Sequence, residues 1–330
     1  MSHSTPIRWG LLGAARIAAS ALIPALRHNI SPVVAVGCRD AQRGAAFAAR
    51  HHIAEVESYE GLIARDDIDA VYIALPNYAH LPWTLAALAA GKHVLCEKPL
   101  ALNAAEAAQI RAASLASGRL VLEAFMYRFH PQIERLCALI AGGALGPLRW
   151  LRGSFTYSLQ DSTDVRWDAK LGGGALYDLG CYPLNLMRMV SQAEPSVLSV
   201  ASRLTAPAAD GGRVDHAAHA VMRFDMAAGP VLGHLDCALS LPFHCQFEAL
   251  CEKTLLRLPI PFASKGTDTE LQVGDYTEHF SACDPYALML AHFESAIRGE
   301  CALRFGLDDS VAQARALDAL LAQAHATPID

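Results

Sequence analysis

The first third of the chain alternates short apolar segments with alanine-rich stretches, and this alternation restricts the fold more than any other feature of the sequence. The apolar segments are as short as buried strands, whereas the alanine-rich stretches are long enough for helices. The predicted strands are Ile7–Leu12, Val33–Cys38, Ala70–Leu75, His93–Glu97 and Leu120–Ala124, and the predicted helices are Arg16–Arg27, Ala41–His51, Leu81–Ala90 and Ala104–Ser117. Strands separated by helices indicate a parallel sheet with right-handed crossovers. The pattern predicts an α/β domain over residues 1–127.

A different pattern begins near residue 128. After a predicted helix at Pro131–Ala141, segments with alternating polar and apolar residues dominate the sequence. The predicted strands here are Leu148–Tyr157, Val197–Leu204, Ala217–Phe224, Val231–Leu239, Cys245–Cys251 and Thr254–Leu258, and the predicted helices are Ala175–Ser191, Tyr286–Arg298 and Asp308–Ala324. Consecutive strands joined by turns indicate an antiparallel sheet. Residues 128–330 are therefore predicted to form a second, α+β domain.

Composition excludes several classes of function. A hydrophobic fraction of 53% in 330 residues argues against disorder, and a net charge of −6 argues against nucleic acid as the main partner. The nine cysteines include no Cys-x-x-Cys pair, so we expect reduced thiols and no metal site. The N-terminal stretch Met1–Pro6 is polar, and no apolar segment is long enough to span a membrane. We therefore expect a cytoplasmic protein with no membrane partner.

A candidate phosphate-binding loop follows the first predicted strand. The stretch from Gly13 to Ala18, with Ala15, Arg16 and Ile17 between them, resembles the pattern Gly-x-Gly-x-x-Gly/Ala, although Ala15 replaces the middle glycine. In such a loop, small residues let backbone amides approach a pyrophosphate at a helix N-terminus. Its position between a strand and a helix favours a dinucleotide-binding Rossmann domain over a simple tight turn.

The end of the second strand bears on the choice of dinucleotide. An acidic residue at this position binds the ribose 2′-hydroxyl of NAD, whereas arginines bind the 2′-phosphate of NADP. We place Cys38 at the strand end, with Arg39 next to it and Arg43 one helical turn later. NADP is therefore favoured and NAD is less expected. A shift of one residue would instead bring Asp40 to the ribose, and the arginines could also be ordinary surface residues.

Two further segments carry groups suited to catalysis. Lys98, between Glu97 and Pro99, follows a parallel strand at the edge where α/β sheets bind ligands, although a lysine there can also be a solvated charge. The run from Gly172 to Tyr182 combines three glycines with a helix on which Asp178 and Tyr182 share a face. An ammonium group beside a buried phenol lowers its pKa, which suits an acid/base. The alternative is that Tyr182 is a core aromatic.

Several blocks together resemble the glucose–fructose oxidoreductase/inositol dehydrogenase family, known as Gfo/Idh/MocA, over nearly the whole chain. These blocks are residues 8–13, 71–80, 91–99, 123–131 and 172–182. Tyr182 stands where many members have histidine. This places the chain near the branch that contains glucose–fructose oxidoreductase, dimeric dihydrodiol dehydrogenase and NADP-dependent xylose dehydrogenase.

The resemblance implies a Rossmann domain and an open-faced, mostly antiparallel sheet through which members form homodimers or homotetramers. It also implies that Lys98 is catalytic and contacts both substrate and nicotinamide. The residues that it assigns to the cofactor site beside Lys98 are Leu75, Pro76, Asn77, His80 and Glu97, with Pro76, Asn77 and His80 at the nicotinamide ribose.

The combined hypothesis is hydride transfer between NADP and a CH–OH carbon of an aldose or related polyol. Tyr182 would be the acid/base, Lys98 would assist it and Asp178 would position the substrate or Tyr182, with Arg166 and Trp167 in the substrate pocket. One alternative is a trans-1,2-dihydrodiol dehydrogenase, which a pocket lined by Phe125, Phe155 and Trp167 would favour. The alternative of another class is a regulator that binds NADP without turnover.

Overall fold

The computed structural model describes residues 6–326 and 328–329, and these form two compact units. The first unit comprises Met1–Met126 and Tyr286–Val311, and the second comprises Tyr127–Pro285 and Ala312–Asp330. This division differs from the predicted one, which placed all of 128–330 in a single domain. Most of the N-terminal stretch Met1–Pro6 lies outside the described residues.

The first unit contains a six-stranded sheet with the strand order β3-β2-β1-β4-β5-β6, in which every neighbouring pair is parallel. Its strands are β1 (Trp9–Leu12), β2 (Val33–Gly37), β3 (Glu55–Glu57), β4 (Ala70–Ile73), β5 (His93–Cys96) and β6 (Val121–Glu123). Its first helices are α1 (Ile23–His28), α2 (Ala41–His51), α3 (Tyr59–Ile63), α4 (His80–Ala89) and α5 (Ala104–Ser117). Because the strands are parallel, the residues that follow β1, β2, β4 and β5 lie along one edge of the sheet.

A late helix completes the core of the first unit. In α8 (Pro285–Ile297), the Glu294 carboxylate accepts hydrogen bonds from Trp9 Nε1 at 2.9 Å and from Ser31 Oγ at 2.6 Å. The ring of Phe293 packs against the fully buried ring of Trp9, with the centroids 6.1 Å apart. These buried contacts explain why residues 286–311 group with the first unit, which sequence patterns alone did not indicate.

The second unit contains an eight-stranded sheet with the order β14-β13-β12-β11-β7-β10-β9-β8. Its strands are β7 (Leu148–Ser158), β8 (Pro195–Leu204), β9 (Asp215–Met226), β10 (Gly229–Ala238), β11 (Ser240–Cys251), β12 (Leu255–Leu258), β13 (Thr269–Val273) and β14 (Tyr276–Phe280). Neighbours pair antiparallel except β10 with β7, so the prediction of a mostly antiparallel sheet is confirmed. The remaining helices are α6 (Pro131–Ala141), α7 (Cys181–Ser191) and α9 (Leu307–Ala326).

Two helices begin with a wider, π-helical turn, and both turns precede a proline. The segment Ala18–Leu22 precedes Pro24 in α1, and the segment Leu176–Gly180 precedes Pro183 in α7. Proline has no N–H for the carbonyl four residues earlier, and its ring clashes with that carbonyl. The π-helical geometry relieves this conflict. Both widened turns lie in candidate site segments.

No helix among the described residues is long and apolar enough to cross a membrane. The same part of the chain holds no group of three or more histidine, cysteine, aspartate or glutamate side chains arranged to bind a metal ion.

Candidate active site

The loop after β1 requires a glycine at its first position. Gly13 has a φ of +106°, which L-residues with side chains rarely adopt, and a Cβ there would lie 2.9 Å from the carbonyl oxygen of Ala74. Its amide donates a 2.9 Å hydrogen bond to the carbonyl of Gly37. The loop is therefore held against the ends of both neighbouring strands, β2 and β4.

The residues after Gly13 begin the first helical segment. Helical geometry begins at Arg16, which is exposed, while Ala15 and Ile17 are partly exposed and Ala18 is buried. Ala15 adds only one methyl group compared with glycine. Free amides at a helix N-terminus attract anions. The predicted residues thus lie at a helix start, the kind of position at which pyrophosphates bind.

The side chains after β2 favour a phosphate over a hydroxyl group. The Asp40 carboxylate accepts a hydrogen bond from the Arg43 amide at 3.0 Å and caps α2, so it already has a structural partner. The Arg43 guanidinium donates to the Ala14 carbonyl at 2.9 Å, which brings its positive charge to the loop after β1. Arg39 is exposed at the strand end, and Cys38 is neutral and buried. This set of groups fits NADP, which differs from NAD by its 2′-phosphate.

The bend after β5 is anchored on both sides of Lys98. The buried Glu97 carboxylate accepts a short hydrogen bond from the hydroxyl of Tyr72, and burial raises the pKa of that phenol well above its usual value. On the other side, the Leu100 amide donates to the Glu123 carboxylate at 2.9 Å. Lys98 itself is partly exposed, and the Lys98–Pro99 peptide bond is cis. Lys98 therefore lies just after β5, at the carboxyl edge of the parallel sheet.

The ring of His80 lies between two backbone carbonyls. Its ring is fully buried, and both nitrogens lie within hydrogen-bond distance of backbone carbonyls, at 2.8 Å from Pro99 and 2.9 Å from Leu75. The ring therefore has no nitrogen left to contact a ribose. Leu75, Pro76 and Asn77 are partly exposed.

In the second unit, a buried acid holds the loop of three glycines. A Cβ on Gly174, whose φ is +121°, would lie 2.4 Å from Asp215 Oδ1, and Asp215 Oδ2 accepts a 2.7 Å hydrogen bond from the Leu176 amide. Burial raises the pKa of Asp215 to about 7. Asp215 thus fixes the start of the helical segment that leads to Asp178 and Tyr182.

The same loop supports a polar network. Asp178 Oδ2 accepts hydrogen bonds from Arg166 Nε at 2.7 Å and from the Tyr157 hydroxyl at 3.1 Å. Arg166 also pairs with the buried carboxylate of Asp164 at 3.0 Å. Burial alone would lower the pKa of Arg166, but the charges of Asp178 and Asp164 outweigh it and raise that pKa. Asp178 is therefore ion-paired, which suits a positioning role better than proton transfer.

Tyr182 lies among aromatic rings one helical turn after Asp178. Only 6% of its surface is exposed, and its ring centroid is 5.4 Å from that of Phe155, 5.6 Å from Phe262 and 5.8 Å from Tyr127. Trp167, the residue after Arg166, is partly exposed and donates its indole N–H to the Asp161 carbonyl at 3.0 Å.

Phe125, by contrast, is fully buried in the first unit and cannot line a pocket.

Several residues that hold these groups in place were not identified from the sequence. They are Tyr72 beside Glu97, Tyr157 and Asp164 around Arg166, and Asp215 under the glycine loop. Tyr72, Tyr157 and Asp215 are distant in sequence from their partners, whereas Asp164 lies only two residues before Arg166 in a loop that carries no recognisable motif. The one visible signal was Asp215 itself, an acidic residue beside an alternating apolar strand.

Comparison with known families identifies the chain. The model of an oxidoreductase family with an NAD-binding Rossmann fold, GFO_IDH_MocA, matches residues 7–125. The model of the GFO/IDH/MocA C-terminal domain matches residues 133–257. The chain belongs to the GFO/IDH/MocA family. The resemblance inferred from sequence blocks is thus confirmed, as are the Rossmann fold and the dehydrogenase/reductase class.

Individual members of the GFO/IDH/MocA family are similar over different lengths. An uncharacterized oxidoreductase of Rhizobium meliloti is 34% identical over 95% of this chain and 96% of its own length. The D-xylose 1-dehydrogenase (NADP(+)) 2 of Haloferax volcanii is 41% identical, but over only 55% of this chain and 56% of its own. The crystal structure of a 3-ketoreductase from Actinomadura kijaniata, in complex with NADP and TDP-benzene, is 30% identical and covers 97% of this chain and 98% of its own, with a TM-score of 0.88.

Proposed function

We propose that this member of the family transfers a hydride between NADP and a CH–OH or ketone carbon of a sugar or related polyol. The observation that carries the proposal is the position of Tyr182, a phenol set in an aromatic wall one helical turn from the Arg166–Asp178–Tyr157 network. Sugars present C–H faces that pack on aromatic rings and hydroxyl groups that hydrogen-bond to charged side chains. In the second unit, the partly exposed ring of Phe155 packs on Tyr182, and the partly exposed Arg166 supplies the charged group.

The roles of the residues follow from their chemistry. Bound nicotinamide supplies or accepts the hydride. Tyr182 donates the proton to the substrate oxygen during reduction and removes it during oxidation. The Lys98 ammonium stabilises the negative charge on the phenolate and the substrate oxygen. Arg166, held by Asp178, hydrogen-bonds to substrate hydroxyl groups and fixes their orientation.

The cofactor assignment rests on charge. Arg43 is tied to the phosphate loop, Arg39 is exposed beside it and Asp40 is engaged as a helix cap. These groups complement the 2′-phosphate of NADP and offer no acidic partner to the 2′-hydroxyl of NAD. The NADP named for the Haloferax and Actinomadura proteins supports the same choice.

The test is a substrate screen with variants. Aldoses, keto-sugars and polyols are incubated with NADP or NAD, and absorbance at the reduced-nicotinamide band is followed. On any substrate that turns over, we expect Tyr182→Phe to lower kcat by about 10²-fold or more, since positioned acid/base groups contribute that much. The control Tyr276→Phe removes a hydroxyl from an exposed ring and should keep wild-type activity. Near-full turnover by Tyr182→Phe would exclude the assigned role.

Lys98 is tested in parallel. Lys98→Met keeps the length of the side chain and removes its charge, so we expect kcat to fall by about 10²-fold. The exposed Lys253, which contacts the Ala144 carbonyl, gives the matched control Lys253→Met. Equal activity of the two variants would show that Lys98 has no catalytic part.

A second candidate activity is trans-dihydrodiol oxidation, which the aromatic wall favours. Phe155 contacts Tyr182, and the ring of Phe243, 60% exposed, lies edge-on to Phe155 with centroids 6.4 Å apart. A cyclic diol could pack on these rings. Initial rates with xylose, glucose and a benzene dihydrodiol distinguish the candidates, because Phe243→Ala should impair only the diol reaction.

We further propose a cytoplasmic homodimer or homotetramer that associates through one face of the eight-stranded sheet. Leu232 in the middle of β10 and Leu198 on β8 expose apolar surface, which supports such a contact. Light scattering after size-exclusion chromatography measures the oligomeric state, and a monomer at micromolar concentration would contradict the proposal.

A further inference from the structure

His80 faces two hydrogen-bond acceptors at once. Its ring is completely buried at the start of α4, with Nδ1 2.8 Å from the Pro99 carbonyl oxygen and Nε2 2.9 Å from the Leu75 carbonyl oxygen. A backbone carbonyl accepts hydrogen bonds and donates none. Both ring nitrogens must therefore carry a proton for both short contacts to be hydrogen bonds.

A neutral imidazole cannot satisfy this arrangement. It has one N–H and one lone pair, so it donates to one carbonyl and turns its lone pair towards the other oxygen. The imidazolium ion donates to both. Burial is the largest influence on the His80 pKa and lowers it, and the Lys98 charge acts in the same direction, whereas the two carbonyls raise it. The net pKa lies below 6.5.

The two carbonyls belong to the two bends that carry predicted ligand-contacting groups. Leu75 follows β4 and immediately precedes Pro76 and Asn77, while Pro99 immediately follows Lys98. The charged groups around these bends are Lys98, together with the carboxylates of Glu97, bonded to Tyr72, and Glu123, bonded to the Leu100 amide. One imidazole thus connects both bends.

We propose that His80 is a positioning residue. Its doubly protonated ring holds together the bend after β4, which carries Asn77, and the bend after β5, which carries Lys98. Its neutral ring releases one of these bends. The kinetic part of its test rests on the function proposed above. The spectroscopic part needs neither substrate nor cofactor, so the two proposals can fail separately.

The protonation state is measured by NMR on the full chain with isotope-labelled histidine. The ring nitrogen shifts are followed from about pH 8 to about pH 5, and the His80 signals are assigned by their loss in His80→Asn. We expect one nitrogen to gain its proton in a single step with a midpoint below 6.5, after which both are protonated. A ring that stays singly protonated until the protein unfolds would overturn the proposal.

Two substitutions separate the two hydrogen bonds. The amide of His80→Asn approximates the Nδ1 position and can still donate to Pro99, whereas that of His80→Gln approximates Nε2 and can still donate to Leu75. We expect His80→Asn to raise KM for NADPH about tenfold with kcat retained, and His80→Gln to lower kcat about tenfold with KM retained, since one buried hydrogen bond is worth about that factor.

Because the neutral ring releases one bend, we expect the NADPH affinity of the wild type to change as His80 titrates, and neither variant should show this change. His28→Asn, the same substitution at an exposed position on α1, serves as the control and should behave as wild type. Identical kinetic defects in the Asn and Gln variants, or none in either, would show that the ring only fills space. If neither variant folds, sequential resonance assignment of the unaltered protein identifies the His80 signals, and its NMR titration decides the question.

Discussion

Replacing Gly173 with alanine tests whether the glycine loop positions the substrate groups. A Cβ at this position would lie 2.4 Å from the carbonyl oxygen of Arg166 and 2.9 Å from that of Asp168. Contacts under 3.0 Å do not occur in real structures, so the Arg166 backbone must move by at least roughly 0.6 Å. The φ of Gly173 lies outside the left-handed region, so the effect of the methyl group is purely steric.

We expect this displacement to act on substrate use more than on stability. Because Arg166 holds Asp178 at 2.7 Å, a shift approaching 1 Å should lower kcat/KM by about 10²-fold. Overpacking should reduce the free energy of unfolding by about 1–3 kcal/mol. Steady-state kinetics with the substrate from the screen, NADPH fluorescence titration and thermal unfolding measure the three quantities. The dissociation constant for NADPH should not change.

Gly306→Ala provides the matched control. A Cβ at Gly306 meets no heavy atom of the described chain within 4 Å, so this variant should keep wild-type kinetics. Unaltered kcat/KM in Gly173→Ala would refute the argument that the loop sets the Arg166 geometry. A large loss of NADPH affinity would refute it as well, since that result would point to general disruption.

Three further predictions concern charge and burial. Arg43→Ala should weaken NADPH binding about tenfold or more while leaving NADH binding unchanged, whereas Arg50→Ala on the same helix should change neither; fluorescence titration measures both. Folding raises the pKa of Asp215 from 3.8 to about 7. Between these two pH values the native state keeps the Asp215 proton and the unfolded state loses it, so the free energy of unfolding falls as the pH rises from 3.8 to about 7. Urea unfolding from about pH 5 to about pH 8 should show this fall, about 3 kcal/mol, in the wild type but not in Asp215→Asn, and equal slopes would contradict the assignment. Glu294→Leu should destabilise the chain by about 3 kcal/mol because it leaves the buried Trp9 and Ser31 donors unpaired, whereas Glu294→Gln keeps the acceptor and should cost much less in urea unfolding.

Local patterns predicted helix bounds well where the sequence also contains the residue that caps the helix. The helices Ala41–His51 and Ala104–Ser117 have the predicted bounds, and each begins after a side chain that caps it, Asp40 and Asn103 respectively. The strands β3, β13 and β14 and the helix α3 were missed because each is five residues long or shorter, and the three strands are also rich in polar residues. They form through pairing with neighbours that a local pattern does not reveal.

Local patterns also predicted part of the candidate site. Residue types beside strand ends indicated Gly13, Arg43 and Lys98, since parallel strands bring such positions to one edge. The surroundings of His80 and Asp215 depend on backbone groups distant in sequence. No periodicity encodes which carbonyl or amide will face a given side chain. The ribose contact expected for His80 therefore stays a prediction, since its ring nitrogens lie beside the Pro99 and Leu75 carbonyls.

Because α8 packs in the first unit but lies far along the chain from β1, it affects how that unit folds during synthesis. A ribosome releases the Rossmann strands early, yet the acceptor for the Trp9 indole arrives only with Glu294, 285 residues further along the chain. Until then the nascent first unit has a buried donor without its partner and an apolar surface that α8 has not covered. We therefore expect a fragment that ends near residue 126 to aggregate or bind chaperones, whereas the same fragment supplied with a peptide containing α8 should become soluble and compact.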